Sequence, residues 1–131
     1  MDIIMSIHPK WAKLIYEGKK KIEWRKTDPK NADSLSTIFI YETAPICRVT
    51  GCMRLNKVIA YDFVGRIFAI PKYLIDCGCV SPMDLKKYQG KSDYVYGWHI
   101  YNPTKFNEPV MLESLDLKRP PQSWQYLKEE K

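Results

Sequence analysis

Short apolar runs alternate with amphipathic stretches along this chain, and the change of period marks its elements. Residues 2–7 form an apolar run short enough for a buried strand. Pro9 then stands at a first helical position, where its missing N–H has no partner to lose. Trp11, Leu14 and Ile15 follow at i, i+3 and i+4, with Lys10, Lys13 and Glu17 on the other side. That spacing predicts an amphipathic helix over 9–17, and Gly18 suits the left-handed position just past its end. A strand follows at once. Alternation sets Lys21, Glu23 and Arg25 on one side and Lys20, Ile22, Trp24 and Lys26 on the other. Ile22 and Trp24 read as its core face.

Residues 27–36 carry turn chemistry. A strand is expected over 37–42, with Ile38 and Ile40 on one face and Phe39 and Tyr41 on the other. After the break at Thr43-Ala-Pro45, a long strand over 46–59 is expected, bulged at Gly51. Asp62 is placed to cap a helix over 63–69, and Pro71 to open another ending near Gly78. Ser81-Pro-Met-Asp84 is a capping signature for a third, reaching about Tyr88 with Gly90 beyond it. Residues 93–101 read as a strand and 103–117 as a strand or loop. Arg119-Pro-Pro121 is stiff chain, and 123–127 reads as a last strand or turn. The helical stretch at 62–88 is inserted between strands rather than alternating with them. The pattern therefore argues for a small α+β fold, a mixed β-barrel with short helices at its ends, and against a doubly wound parallel sheet. A chain of 131 residues, 45% hydrophobic and without repeats, is expected to form one domain over 1–131.

Composition adds a charge. Lys and Arg number 21 against 15 acids, for a net +6. Residues 19–26 hold five basic residues and one acid, so much of that excess is focused there. A focused basic patch favours polyanions, nucleic acid first; the competing reading is a solvated surface. Cys47, Cys52, Cys77 and Cys79 form no C-x-x-C pair, and His8 and His99 lie far from them in sequence. No metal and no cofactor is expected; the thiols read as buried or half-buried and free. No apolar run approaches the roughly 20 residues that span a bilayer. No secretory leader is visible either, so a cytoplasmic protein with no membrane partner is expected.

The motif that carries chemistry is Gly18-x-Lys20-x-x-Glu23-x-Arg25. A glycine turn brings a strand entrance beside a helix end, with a lysine, a carboxylate and a guanidinium on it. Such a set can hold a phosphate, orient a base edge or do acid–base work. This motif is similar to the signature of the ASCH domain, a family of the PUA-like β-barrel superfamily. The other pieces follow in order. They are His8-Pro9-Lys10-Trp11 leading a helix, Tyr41-x-Thr43-x-Pro45 ending a strand, Val49-x-Gly51 on the next, and the helix from Ser81 to Tyr88. Arg119-Pro-Pro-Gln-Ser-Trp124 resembles a tail of small prokaryotic and phage-borne members.

The resemblance implies a cleft between the helix end and the barrel, and RNA or a nucleotide as partner. Lys20, Lys21 and Arg25 are the candidate phosphate contacts, with His8 and Lys10 at the helix entrance. Tyr41, Thr43, Trp98 and Trp124 are candidate base contacts; for each aromatic the competing reading is core. Arg25 has a further one, an ion pair with Glu23. Some relatives are hydrolases of N-acylated cytidine that use a lysine two residues after the glycine. That implies Lys20 as nucleophile or base and Glu23 as proton carrier, although those hydrolases carry threonine where this chain has Glu23. The third reading is a phage-associated protein-interaction module. Oligomeric state is not legible in the sequence.

Overall fold

In a computed structural model, described over residues 1–62, 72–90 and 94–128, the elements follow the expected order closely. They are β1 (Ile3–Ile7), α1 (Pro9–Tyr16), β2 (Ile22–Arg25), β3 (Thr37–Glu42), β4 (Arg48–Asp62), α2 (Lys72–Gly78), α3 (Pro82–Gln89), β5 (Tyr94–Val110) and β6 (Trp124–Tyr126). The six strands form one sheet in the order β2-β5-β4-β3-β1-β6. β1 pairs with β3 in parallel, and the other described pairings are antiparallel. The helix expected over 63–69, its cap at Asp62 and the role given to Pro71 lie outside the described residues or side chains.

β1 is a continuous apolar run because it is buried on both faces. Ile3, Met5 and Ile7 meet Ile38, Ile40, Met53, Leu55 and Trp98 on the inner side of the sheet. Ile4 meets Tyr41, Val49 and Leu127 on the outer side. α1 lays Ala12 and Ile15 into the inner cluster. His8 caps this helix, its Nδ1 accepting from the Lys10 N–H at 3.3 Å. At the other end Gly18 adopts φ +77°, and the amides of Lys19 and Lys20 both donate to the Leu14 carbonyl.

The long partners β4 and β5 shift register at Val49/Gly51, Cys52/Arg54 and Leu55/Lys57. Each shift adds bend and twist, and together they curl the sheet into a half-barrel. The fold is mixed α+β. Gly51 sits where β5 comes too close for a side chain: a Cβ there would lie 2.2 Å from the Thr104 carbonyl oxygen. Of the two readings left open after residue 101, strand holds as far as Val110: β5 continues through Pro103 before the 3₁₀ turn at Leu112–Leu115.

Two features of β2 position the site. First, Ile22 and Trp24 bury themselves under α2 and α3, against Leu74, Ile75 and Leu85. Second, β2 and β6 are the two edges of the sheet, and side chains join them. The Arg25 guanidinium donates to the Ser6 carbonyl (2.8 Å) and to Ser123 Oγ (3.0 Å). Thr27 accepts from both indoles of the seam, Trp98 at its carbonyl (3.1 Å) and Trp124 at its hydroxyl (2.8 Å).

Gly78, the last residue of α2, lies directly against Trp24. A Cβ there would sit 2.1 Å from the indole Nε1, and the rigid ring cannot yield as a flexible side chain would. Gly78→Ala is expected to cost about 1–3 kcal/mol by overpacking, read as a lowered midpoint in chemical denaturation.

Candidate functional site

Gly18-x-Lys20-x-x-Glu23-x-Arg25 folds into a buried charge cluster. Lys20 is only 3% exposed and Glu23 7%. The Lys20 ammonium donates to the Gly78 carbonyl and lies 4.0 Å from Glu23 Oε2. Glu23 Oε1 lies 3.4 Å from the Arg25 guanidinium. The alternation argument set Lys20 on the face opposite Glu23, and here the structure differs. β2 is regular only from Ile22, and residues 18–21 still follow the helix end, so strand alternation does not reach back to Lys20.

Burial pushes the Lys20 pKa down from its ordinary value. Glu23 and Cys79 oppose that shift, and Arg25 adds to it. Three polar atoms in consecutive residues have no hydrogen-bond partner among the described residues: Glu23 Oε2, Trp24 Nε1 and Arg25 Nε. All three residues line one cavity of about 280 Å³, closed by Trp11, Lys20, Val80, Leu85 and Tyr88. Lysines sit over two of its rings. Lys10 and Lys20 lie 4.8 Å and 5.1 Å from the Trp11 centroid, and Lys26 lies 5.1 Å from that of Tyr88. The arrangement offers flat apolar walls, one buried acceptor and a rim of ammonium groups.

The remaining candidates are dispersed. Lys10 and Lys21 are exposed beside this cavity. His8 is exposed and serves as the α1 cap. Trp98 is wholly buried and packs edge-on against Trp124 at 5.1 Å. Trp124 is half-buried in the seam and Tyr41 is 6% exposed. Thr43 is half-buried, its N–H donating to the Ile7 carbonyl. None of these last four lines the 280 Å³ cavity. The thiols are free, as expected, but Cys47 is exposed rather than buried.

Sequence reasoning missed Trp11, Trp24 and Tyr88 as cleft residues. Trp24 reads as core on its strand and Trp11 as part of the apolar stripe of α1, which gives no sign that either also borders a cavity. The signal for Tyr88 was present, since Leu85 and Tyr88 stand at i, i+3 on a capped helix and so share a face.

The family model for the ASCH domain matches residues 5–110. The chain belongs to the ASCH domain family. It is 36% identical over 61 residues to an ASCH domain-containing ribonuclease of Zymomonas mobilis subsp. mobilis, a match covering 47% of this chain. That match spans only 40% of the relative's length. The crystal structure of ASCH from Zymomonas mobilis has the same fold, with a TM-score of 0.82 at 24% identity over 98% of this chain and 88% of that one. A tyrosine-to-phenylalanine mutant of the Zymomonas protein gives the same TM-score at 23% identity, over 98% and 91% of the two chains. The curled six-stranded half-barrel with its short helices is thus the architecture of solved ASCH proteins.

Two outcomes follow from the buried cluster of this ASCH domain. Glu23→Gln leaves Lys20 and Arg25 without their counter-charge, and a loss of about 3–5 kcal/mol is expected. Adding Lys20→Met should recover part of it, and a double-mutant cycle of thermal melts reads the coupling. The depressed Lys20 pKa means that the unfolded chain binds this proton more tightly than the folded one. Its charge penalty is therefore complete below the folded pKa and gone above the unfolded value of 10.5. Stability gains with rising pH across that interval. The difference curve between wild type and Lys20→Met should show this gain, and Glu23→Gln should extend it to lower pH.

Proposed function

We propose that this ASCH domain binds RNA, taking an unpaired nucleotide into the cleft between α1, β2 and α3. The observation that carries the reading is the cavity itself, walled by Trp11, Trp24 and Tyr88, with ammonium groups over two of those rings and a carboxylate oxygen in its wall that accepts no hydrogen bond. An aromatic wall takes a base by stacking, which tolerates sequence, while lysines at the rim meet phosphates. Unpaired bases can enter such a cleft, whereas the edges of duplex RNA are hidden. A net charge of +6 favours the encounter. The Zymomonas relative is named a ribonuclease, which fits the same ligand class.

The roles divide differently from the sequence expectation. Lys10, Lys21 and Lys26 are the exposed cations that meet phosphate. Lys20, Glu23 and Arg25 shape the cleft from inside, and Arg25 is a clamp across the sheet seam. The test is titration of fluorescent single-stranded RNA at low salt, followed by anisotropy. Affinity should fall steeply as salt rises, because neutralised phosphates release counterions. Tyr88→Ala and Trp11→Ala should each lose about 1–3 kcal/mol of binding, and Lys26→Ala should flatten the salt slope by about one. Absence of binding to any RNA at low salt overturns the reading.

A second reading has one observation in its favour: burial lowers the Lys20 pKa, as a nucleophilic or basic lysine requires. In that reading the domain deacylates an N-acylated cytidine, with Lys20 as nucleophile or base and Glu23 as proton carrier. Glu23 stabilises the ammonium form and works against it. Incubation with N4-acylcytidine is expected to give little or no product by chromatography. Fast turnover abolished by Lys20→Ala would make the domain an enzyme.

A further inference from the structure

We propose that the domain holds two consecutive nucleosides of a single strand, the second in an apolar cavity on the opposite side of the Gly18–Lys21 turn. The proposal rests on the RNA reading above. This second cavity measures about 330 Å³ and has a floor of Ile15, Met53 and Ile100. Its rim is Lys21, Tyr101 and Asn102. Lys20 lines both cavities, so they adjoin at this residue. Each volume lies near the lower end of the range for small-molecule sites, about 300–1,000 Å³. That suits one nucleoside per cavity rather than a long ligand in either.

The chemistry of the second cavity matches a base more closely than an aliphatic ligand. Tyr101 is 40% exposed at its edge, a phenol ring free to stack. Asn102 is held in the left-handed region at φ +48° and offers an exposed amide, donor and acceptor together, to a base edge. The cations around it favour a polyanion: Lys21 is exposed on the turn beside Lys19, which is ion-paired with Glu17 at 3.0 Å, and Lys105 lies over the ring of Tyr16, next to Ile15 in sequence.

Lys21 stands at the divide, and its backbone is fixed from both sides. Its N–H donates to the Cys77 carbonyl at 2.7 Å, and its own carbonyl accepts from the Ile100 N–H at 3.0 Å. α2 and β5 thus hold this residue between the two cavities while its side chain stays in solvent. A phosphodiester linking two nucleosides, one in each cavity, passes over that turn and meets the Lys21 ammonium. The buried Lys20 beneath it is the partition and does not touch phosphate.

Affinities of a 5′-phosphorylated mononucleotide, dinucleotide and trinucleotide, measured by calorimetry at low salt, test this. The dinucleotide should bind at least tenfold tighter than the mononucleotide, with little further gain for the trinucleotide. Tyr101→Ala should remove most of the dinucleotide gain, and Lys21→Ala should lower the dinucleotide salt slope by about one. Both residues are exposed, and thermal melts confirm that the variants are folded. Equal affinity for mononucleotide and dinucleotide overturns the second subsite and leaves the cleft reading standing, and so does a Tyr101→Ala variant that keeps the full gain. Failure of all three ligands to bind overturns both.

Discussion

Three charges taken out of water at residues 20, 23 and 25 set the terms for the rest of this structure. A buried ammonium, carboxylate or guanidinium is costly unless its partners are close and fixed. Each partner here comes from a different part of the chain. Gly78 supplies a carbonyl at the end of α2, Ser6 supplies one in β1, and Ser123 supplies a hydroxyl just before β6. Satisfying these three charges therefore requires α2, β1 and the C-terminal segment to be in place together. Glu23 sits between the two cations and lets both stay inside.

The same cluster separates what was legible in the sequence from what was not. Elements were legible wherever local chemistry fixes them. Pro9 and Gly18 bracket α1, Ser81 and Gly90 bracket α3, and the bounds of β3 match the expected 37–42. Alternation failed at Lys20, because it assumes a strand that has already begun. It also treated the Glu23–Arg25 face as the open one, since a lone sequence does not say that a third element covers it. Past Pro103 the sequence left strand and loop both open for a related reason. Proline demotes a strand only where its N–H would join the ladder, and bulged pairing with β4 leaves room for it.

The candidate site was legible in its charges and illegible in its aromatics. Trp98 and Tyr41 lie on strands rich in aromatics and were natural candidates for stacking, yet a strongly curled sheet turns one face of each strand into core. Trp98 fills the centre of that core, and its indole N–H is used at Thr27. Besides Trp24 of β2, the rings at the cleft come from the helices, Trp11 from α1 and Tyr88 from α3. These rings border the cleft because a neighbour one turn away is buried, Ile15 for Trp11 and Leu85 for Tyr88, while they themselves stand at the stripe's edge. That distinction depends on packing angles, which periodicity does not encode.

The seam between β2 and β6 has a mechanical consequence. Elsewhere the sheet is held by ladders of backbone bonds, which must break in series for two strands to part. Across this line the described bonds all use side chains: Arg25 to Ser123, Trp124 to the Thr27 hydroxyl, and the Asn31 N–H to the Tyr126 hydroxyl. A half-barrel joined in this way has a latch rather than a weld. Its edges can separate by the loss of a few side-chain bonds while every ladder stays whole. The latch shares Arg25 with the cleft wall, so one guanidinium belongs both to the closure of the sheet and to the lining of the cavity.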